Sequence, residues 1–566
     1  MALLLVMFVY AASLFAGDVT VPGDVRAPHP TLTNISIEWL IGGDDNRNSV
    51  VTVQYAAAGE RGWREAMPLR RVSAGTSRTT TPVFQWQNKH SGSVFDLRPN
   101  TEYRLQLTLS DPDGGSAKRS VRVRTRPVPR AAKNAPTRRV TPETIGQPVA
   151  PGEILLLAPG DYGRFVAPSN GEPDRPVVYR SEDGGAVFDS IVLDNRKHVF
   201  LEGITVRAVR SEANPRAAGI TLRGAVGCVV RRSRIDAVFG IRAAGAPGCT
   251  DCYIADNVIT GTTPWTAEAM GANGKNIGEG IEMTGPGNVI AFNRVTGFRD
   301  CISTMEDRHV HNQFSIDIVN NDLYTGSDDA IEADFCFHNC RVMRNRITNS
   351  FVGLSSQPGL GGPTYFIRNV MYNLTYVPFK LHRFSQGDVV LHNTTVKSGD
   401  GMASFSRQEF DFAYFRNNLS IGGPSGGVKW GGYGGGNGLA ANIAAPGQYS
   451  SFDYDAVGTW ETLFAGKIGG KDFSAVEPHG VRVDMSVFAA PVAFPIPPIP
   501  EREPADLRPR AGSAVVDAGL RIPNVNDGYV GAGPDIGAFE ATQPLPIYGP
   551  RPERIDEETA FSKRKP

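Results

Sequence analysis

Eight short segments of this 566-residue chain share one pattern: VRRSRI, IADNVI, IAFNRV, IVNNDL, VMRNRI, FIRNVM, VLHNTT and YFRNNL. Their fourth letters are Ser233, Asn257, Asn293, Asn321, Asn345, Asn369, Asn393 and Asn417, separated by 24, 36, 28, 24, 24, 24 and 24 residues. Self-similarity at a fixed interval of this size marks a chain that coils on itself. Short strands with a recurrent asparagine at one turn of each coil specify a right-handed parallel β-helix, in which stacked asparagines satisfy one another's amide groups. The ladder is therefore structural, and none of its asparagines is expected to be catalytic.

Composition agrees with an all-β chain of more than one domain. Glycine (63) and proline (41) are abundant, which favours many short strands joined by turns over helical bundles. Lysine plus arginine (58) equals aspartate plus glutamate (58), so the net charge gives no reason to expect nucleic acid or an anionic membrane as partner. The opening MALLLVMFVYAASLFA is apolar but short for a membrane span. It reads as a secretory signal over residues 1–17, predicting a secreted protein, extracellular or periplasmic. Six cysteines suit a few disulfides. Cys336 and Cys340 are spaced to close a small loop. Cys228 and Cys252 share one position in adjacent coils, as a disulfide or a buried thiol stack, and Cys249 and Cys301 remain unassigned.

Residues 18–126 alternate with period two: Ile35, Ile37 and Trp39; Val51, Val53 and Tyr55; Tyr103, Leu105, Leu107 and Leu109. Turn-rich pieces such as GGDDNRN and SDPDGG separate the runs, predicting a small antiparallel sandwich. With Trp39 upstream, LRPNTEYRLQL and the closing VRVRTRP resemble a fibronectin type III domain. Residues 127–139 read as a linker, 140–424 as the β-helix, 425–545 as an irregular cover in which the repeat is lost, and 546–566 as a tail. NVNDGYVGAGPDIGAFE resembles the closing segment of exported β-helix proteins.

Equivalent positions in successive coils stack about 4.8 Å apart. Each coil carries an apolar residue roughly ten after its ladder position, namely Ile302, Ile331, Leu354, Phe379 and Met402, with Ile281 serving in the long coil. The next residue points outward, giving a column of Glu282, Ser303, Glu332, Ser355 and Lys380. Glu279, Asp300 and Asp329 precede the apolar position by two, and Asp334, Gln357 and His382 follow it by three. Stacked carboxylates repel. They require a hard cation such as Ca²⁺, a shared proton, or splaying into water. The two long coils contain GTTPWTAEAMGANGKNIG (261–278) and MEDRHVHNQFS (305–315), expected as loops on the binding face. Trp265 on the first is a candidate to stack on a sugar ring, or to cover the solenoid.

DDAIE (328–332), PFKLHR (378–383) two coils later and Asp300 one coil earlier resemble the β-helical polysaccharide lyases of family 9. Carried over by position, the resemblance implies Ca²⁺ held by Asp300, Asp328, Asp329 and Glu332, with Lys380 as catalytic base. Glu332 stands where that family has aspartate, and Pro378 where it has glycine. The implied reaction is Ca²⁺-dependent β-elimination of a uronic-acid-containing polysaccharide. In that reading His382 positions substrate or relays a proton. Arg299, Arg383, Arg308 and His311 hold uronate carboxylates, and Glu282, Asp334, Gln357 and Trp265 contribute to substrate binding. A lysine base must be neutral, so Lys380 needs nearby positive charge. The alternatives are an inverting glycoside hydrolase using Asp300, Asp328 and Asp329, and a non-catalytic carbohydrate-binding protein. The expected partner is a polysaccharide, met by a monomer, with neither nucleic acid nor membrane.

Overall fold

The structure, a computed structural model, describes residues 17–208, 214–243, 247–304, 313–405, 408–425, 429–430, 433–460, 464–555 and 557–558. The proposed signal segment lies outside the described residues up to position 16. No helix among the described residues is long and apolar enough to cross a membrane.

The alternating N-terminal runs form seven antiparallel strands, in the spatial order Val21–Arg26, Ile35–Gly42, Lys89–Val94, Arg64–Val72, Val50–Ala57, Glu102–Ser110 and Ala117–Arg124. Period-two side chains fall on one face of a strand. Accordingly Ile35, Ile37, Trp39, Val51, Val53, Tyr55, Tyr103, Leu105, Leu107 and Leu109 are buried in one cluster.

Downstream, the chain winds into a parallel β-solenoid. One wall is a thirteen-stranded sheet running from Thr137–Val140 to Ser451–Asp453; most of the other strands form a second, larger sheet. The first strand begins inside the expected linker, because Thr137–Val140 pairs in parallel with Ile154–Leu157. The interior is a continuous apolar stack that includes Ile241, Ile281, Ile302, Ile331, Leu354 and Phe379.

The ladder sits at the bend between a strand of one sheet and the next strand of the other. The backbone N–H and Nδ2 of Asn321 both donate to Asn345 Oδ1, at 3.0 and 2.9 Å, and Nδ2 also reaches the carbonyl of Ile290 at 3.1 Å. The same pattern links Asn257, Asn293, Asn345, Asn369 and Asn393 to the residue on the following coil. Each buried amide is thus satisfied from three directions, as a dry interior requires. The residue before each ladder position adopts the left-handed backbone conformation: Asp256, Phe292, Asn320, Arg344, Arg368 and His392 have φ between 54° and 57°. Both markers correct the eighth copy. Asn393 bonds to Asn418, not Asn417, and Asn417 is the left-handed residue (φ 61°), its side chain turned to His392 and the carbonyl of Leu520.

The solenoid also extends beyond 424. Asn418 donates to Asp455 Oδ1, and Ala441–Ile443, Ser451–Asp453, Ala456–Thr459 and Val481–Val483 continue the parallel pairing. The 37-residue step and the change from amide to carboxylate hide these coils from a search for the 24-residue repeat. The expected tail also packs in part against the solenoid: Arg551 is buried on Asp256, with Nη2 2.7 Å from Oδ2 and 2.9 Å from the hydroxyl of Tyr253. Its last residues, 559–566, lie outside the described residues.

The N-terminal unit is docked on the solenoid through buried charge. Arg341, fully buried, pairs with Asp317 and donates from Nη1 to Ser36 (2.7 Å) and Ser93 (3.0 Å). Glu38 accepts from Lys89 and from His338, whose ring stacks on Phe314 at 3.7 Å. Burial alone would raise the Glu38 carboxyl, but His338 and Lys89 outweigh it and pull it down to about 2. Cys336 and Cys340 form a disulfide; Cys228, Cys249, Cys252 and Cys301 are buried free thiols.

Candidate active site

Strands Phe239–Ala243, Glu279–Met283, Asp300–Ser303, Asp322–Glu332, Arg346–Ser356 and Val370–Leu381 lie side by side. Their register places Arg242, Glu282, Ser303, Glu332, Ser355 and Lys380 in one column. Glu279 and Asp300 pair in a parallel column, and the Asp329 backbone N–H donates to Asp300 Oδ1 at 2.8 Å. Phe379 pairs with Ser404, so Met402 falls two residues short of the apolar row expected for it.

Seven carboxyl groups converge here: Glu279, Glu282, Asp300, Asp328, Asp329 and Asp334, all buried, and the half-buried Glu332. Three cations answer them. Arg242 pairs with Glu282, Lys380 with Asp329, and Arg299 with Asp328 (3.1 Å) and Asp300 (3.5 Å). Neutral donors take part of the remainder: Ser303 Oγ reaches Glu332 Oε2 at 3.0 Å, while Ser355 Oγ (2.6 Å) and the Gln357 N–H (2.8 Å) reach Asp334 Oδ1. Among the described residues, Glu279 Oε2 and Asp329 Oδ1 are buried with no hydrogen-bond partner.

The surplus of acid shows in the protonation equilibria. Burial, then Glu332 and Glu282, pushes Glu279 well above the usual carboxylate range, and burial with Glu279 and Glu332 does the same to Asp300. Burial raises Asp329 to about 7 against the pull of Lys380, and raises Glu332 to about 7 with help from Asp334. Asp334 moves up to about 6, by burial offset by Lys380. For Lys380, burial favours loss of its proton, but Asp329, Asp334, Asp328 and Glu332 outweigh it and hold the ammonium well above the ordinary lysine value.

One oxygen each from Glu279, Asp300 and Glu332 lies within 4.8 Å of the other two. Oxygens ligating one Ca²⁺ at about 2.4 Å stand at most about 4.8 Å apart, so this trio fits a single hard cation. Glu279, which carries one of the two orphaned oxygens, belongs to the trio. Two of the four ligands expected from the sequence, Asp300 and Glu332, belong to it as well. Asp328 is turned to Arg299 and Asp329 to Lys380. Glu279 takes a place that the sequence motif does not assign to it, although it shares a column with Asp300.

The other expected site residues divide. His382 borders Lys380, with its ring 4.8 Å from that of Phe405 and its backbone N–H donating to the carbonyl of Ser356. Arg383, half-buried, accepts from Thr79 through its carbonyl. Glu282 is buried against Arg242, and Gln357 reaches the site through its backbone N–H. Trp265 corrects the sugar-stacking expectation: it is 8% exposed and packs with Met270, Phe351, Val352, Tyr376 and Val377, where the long-coil insertion folds over the neighbouring coils. Arg308 and His311 lie outside the described residues.

No family model matches this chain, and no curated protein matches it. Among solved structures it is similar to the pectate lyase Pel9A, at 15% identity and a TM-score of 0.36, over 71% of this chain and 96% of that one. It is also similar to a family 28 exopolygalacturonase of Yersinia enterocolitica, at 12% identity and a TM-score of 0.33, over 83% of this chain and all of the other. Likeness at these levels carries no argument about chemistry, which has to come from the site itself.

Proposed function

We propose that this chain is an exported polysaccharide-degrading enzyme that cleaves a uronic-acid-containing polymer by β-elimination, with Lys380 as base. One observation carries the reading: the register that puts Lys380 two rungs from Glu332, on the same sheet as the Glu279–Asp300–Glu332 trio. Those three residues would hold Ca²⁺, and the bound cation would supply electrostatic stabilisation for the charge that develops on a uronate carboxylate.

The chain's own residues account for the remaining steps. With Glu332 neutralised, one of the four acids that hold the Lys380 ammonium is removed, and Lys380 gives up its proton more readily. Its neutral Nζ then takes the proton at C5, the C4–O bond breaks, and a double bond forms between C4 and C5. The departing oxygen takes a proton from water or from His382. Arg299 and Arg383 suit the acidic substituents of neighbouring sugars. The N-terminal unit, which resembles a fibronectin type III domain in sequence, belongs to the same working body.

Incubation with a panel of uronans, with and without chelator, tests this reading. Elimination gives ultraviolet-absorbing unsaturated ends that disappear with chelator and with Lys380→Ala. Reducing ends without absorbance would overturn it in favour of hydrolysis. That second reading has its own support, because Asp329 and Glu332, each pushed up to about 7, would carry a proton in part of the population near neutrality, as a general acid requires.

A further inference from the structure

The N-terminal unit reaches the end of the strand that bears Lys380 through one hairpin. Its short strands Gly75–Thr76 and Gln85–Trp86 pair antiparallel, and the loop between them lies against successive turns of the solenoid. Phe84 meets Phe335, the residue after Asp334, and Trp86 meets Phe337, edge to face in both cases. Val72, Phe84 and Trp86 share one buried cluster with Phe335, Phe337 and Leu360. Further along, Thr79 Oγ1 donates to the Arg383 carbonyl at 3.4 Å, and the Arg78 guanidinium lies 4.9 Å from the ring centre of Phe384. Arg383 and Phe384 directly follow the segment that bears Lys380 and His382. Arg78 is exposed and makes no ion pair among the described residues.

We infer that Arg78 is a substrate-binding residue contributed by the N-terminal unit, a cationic rim position that holds a carboxylate of an acidic polysaccharide beyond the sugar at Lys380. The inference rests on the proposed uronan substrate and extends it. A guanidinium presents a planar fork of donors that matches a carboxylate, and the face of Phe384 fixes its plane. The buried contacts joining the two units, Arg341 with Ser36 and Ser93 and Glu38 with His338, fix where the hairpin stands relative to the strand that bears Lys380. Binding then needs no closure of one unit on the other, so little ordering cost is added.

Affinity electrophoresis of the full chain in gels containing polygalacturonate, alginate or a neutral glucan tests the inference without requiring turnover. Wild-type protein should be retarded by an acidic polymer and not by the glucan. Arg78→Ala should weaken that retardation roughly five-fold, the scale of one exposed charged contact, and Arg78→Lys should restore part of it. In kinetics on the same polymer, the Arg78→Ala loss should fall on KM and shrink on di- and trisaccharides too short to reach the rim. Equal retardation of wild type and Arg78→Ala overturns the role of Arg78 while leaving β-elimination standing. Wild type that neither binds nor cleaves any uronan overturns both.

Discussion

Lys380 closes on the carboxylate of Asp329, a residue 51 positions earlier in the chain, and each sets the charge of the other. The lysine keeps Asp329 lower than burial alone would leave it, and Asp329 is the first of four acids that keep the lysine protonated. The resting pair is therefore a locked form of the proposed base.

Lys380→Ala should reduce turnover about 10²- to 10⁴-fold, the usual contribution of a positioned acid or base. Initial rates of unsaturated product formation measure this. Retention of more than a tenth of the wild-type rate would remove Lys380 from the role of base.

Ca²⁺ should raise the unfolding temperature, because the folded chain presents the Glu279–Asp300–Glu332 trio and the unfolded chain does not. At a hundred times the dissociation constant the gain is about 2.7 kcal/mol. Calorimetry with and without chelator reads it, and changing all three residues to their amides should abolish it. A gain that survives the triple change would place the ion elsewhere.

Protonation of His392 should cost stability. Its Nε2 accepts from the side-chain amides of Asn417 and Asn526, and its Nδ1 faces the carbonyl of Gly537. Burial, then Arg368, holds this imidazole well below its ordinary value of 6.5. The neutral ring's contribution is thus complete above 6.5 and is lost as pH falls below it, by up to about 1.4 kcal/mol per pH unit. The raised carboxyls of the site give a slope of opposite sign, so the His392 contribution is read as a difference: in denaturant melts between about pH 7 and pH 5, wild type should lose stability relative to His392→Gln. An unchanged slope in the variant would assign the acid sensitivity to other groups.

Lys89→Met should cost about 3–5 kcal/mol, the effect of removing one partner from a buried charge cluster. The wild-type chain should unfold in a single transition that joins the N-terminal unit to the solenoid. Two separate wild-type transitions, with only the first moved by the substitution, would show that the interface does not couple them.

Trp265→Ala should lower stability by about 3–5 kcal/mol, as truncation of a large buried aromatic does. Thermal melts measure it. Weakened polysaccharide binding with an unchanged melt would restore Trp265 to the substrate surface.

The coil register was legible because ladder spacing and outward columns are local, periodic properties of the chain. The column from Glu282 to Lys380 could be read from spacing alone. Errors entered where periodicity lapses. In YFRNNL two adjacent asparagines compete for one position, and the left-handed turn at Asn417 and the contact from Asn393 decide for Asn418. After Asn418 the ladder residue becomes Asp455, so the remaining coils carry no asparagine signal. Within the site, sequence gives the column but not which way a carboxylate turns. Asp328 and Asp329 are adjacent on one strand yet answer Arg299 and Lys380 respectively. The burial of Trp265 and the placement of Arg78 depend on how an insertion and a second unit fold back, and neither leaves a periodic trace.

The asparagine ladder works as a ruler. Between Asn257 and Asn293 the chain makes a 36-residue excursion, and between Asn293 and Asn321 one of 28, yet each ends on the same amide contact as a 24-residue coil. Length is absorbed outside the rail, so insertions between rungs can be exchanged or resized without dephasing the stacked columns beside them. A scaffold indexed in this way lets specificity drift while its chemistry stays aligned.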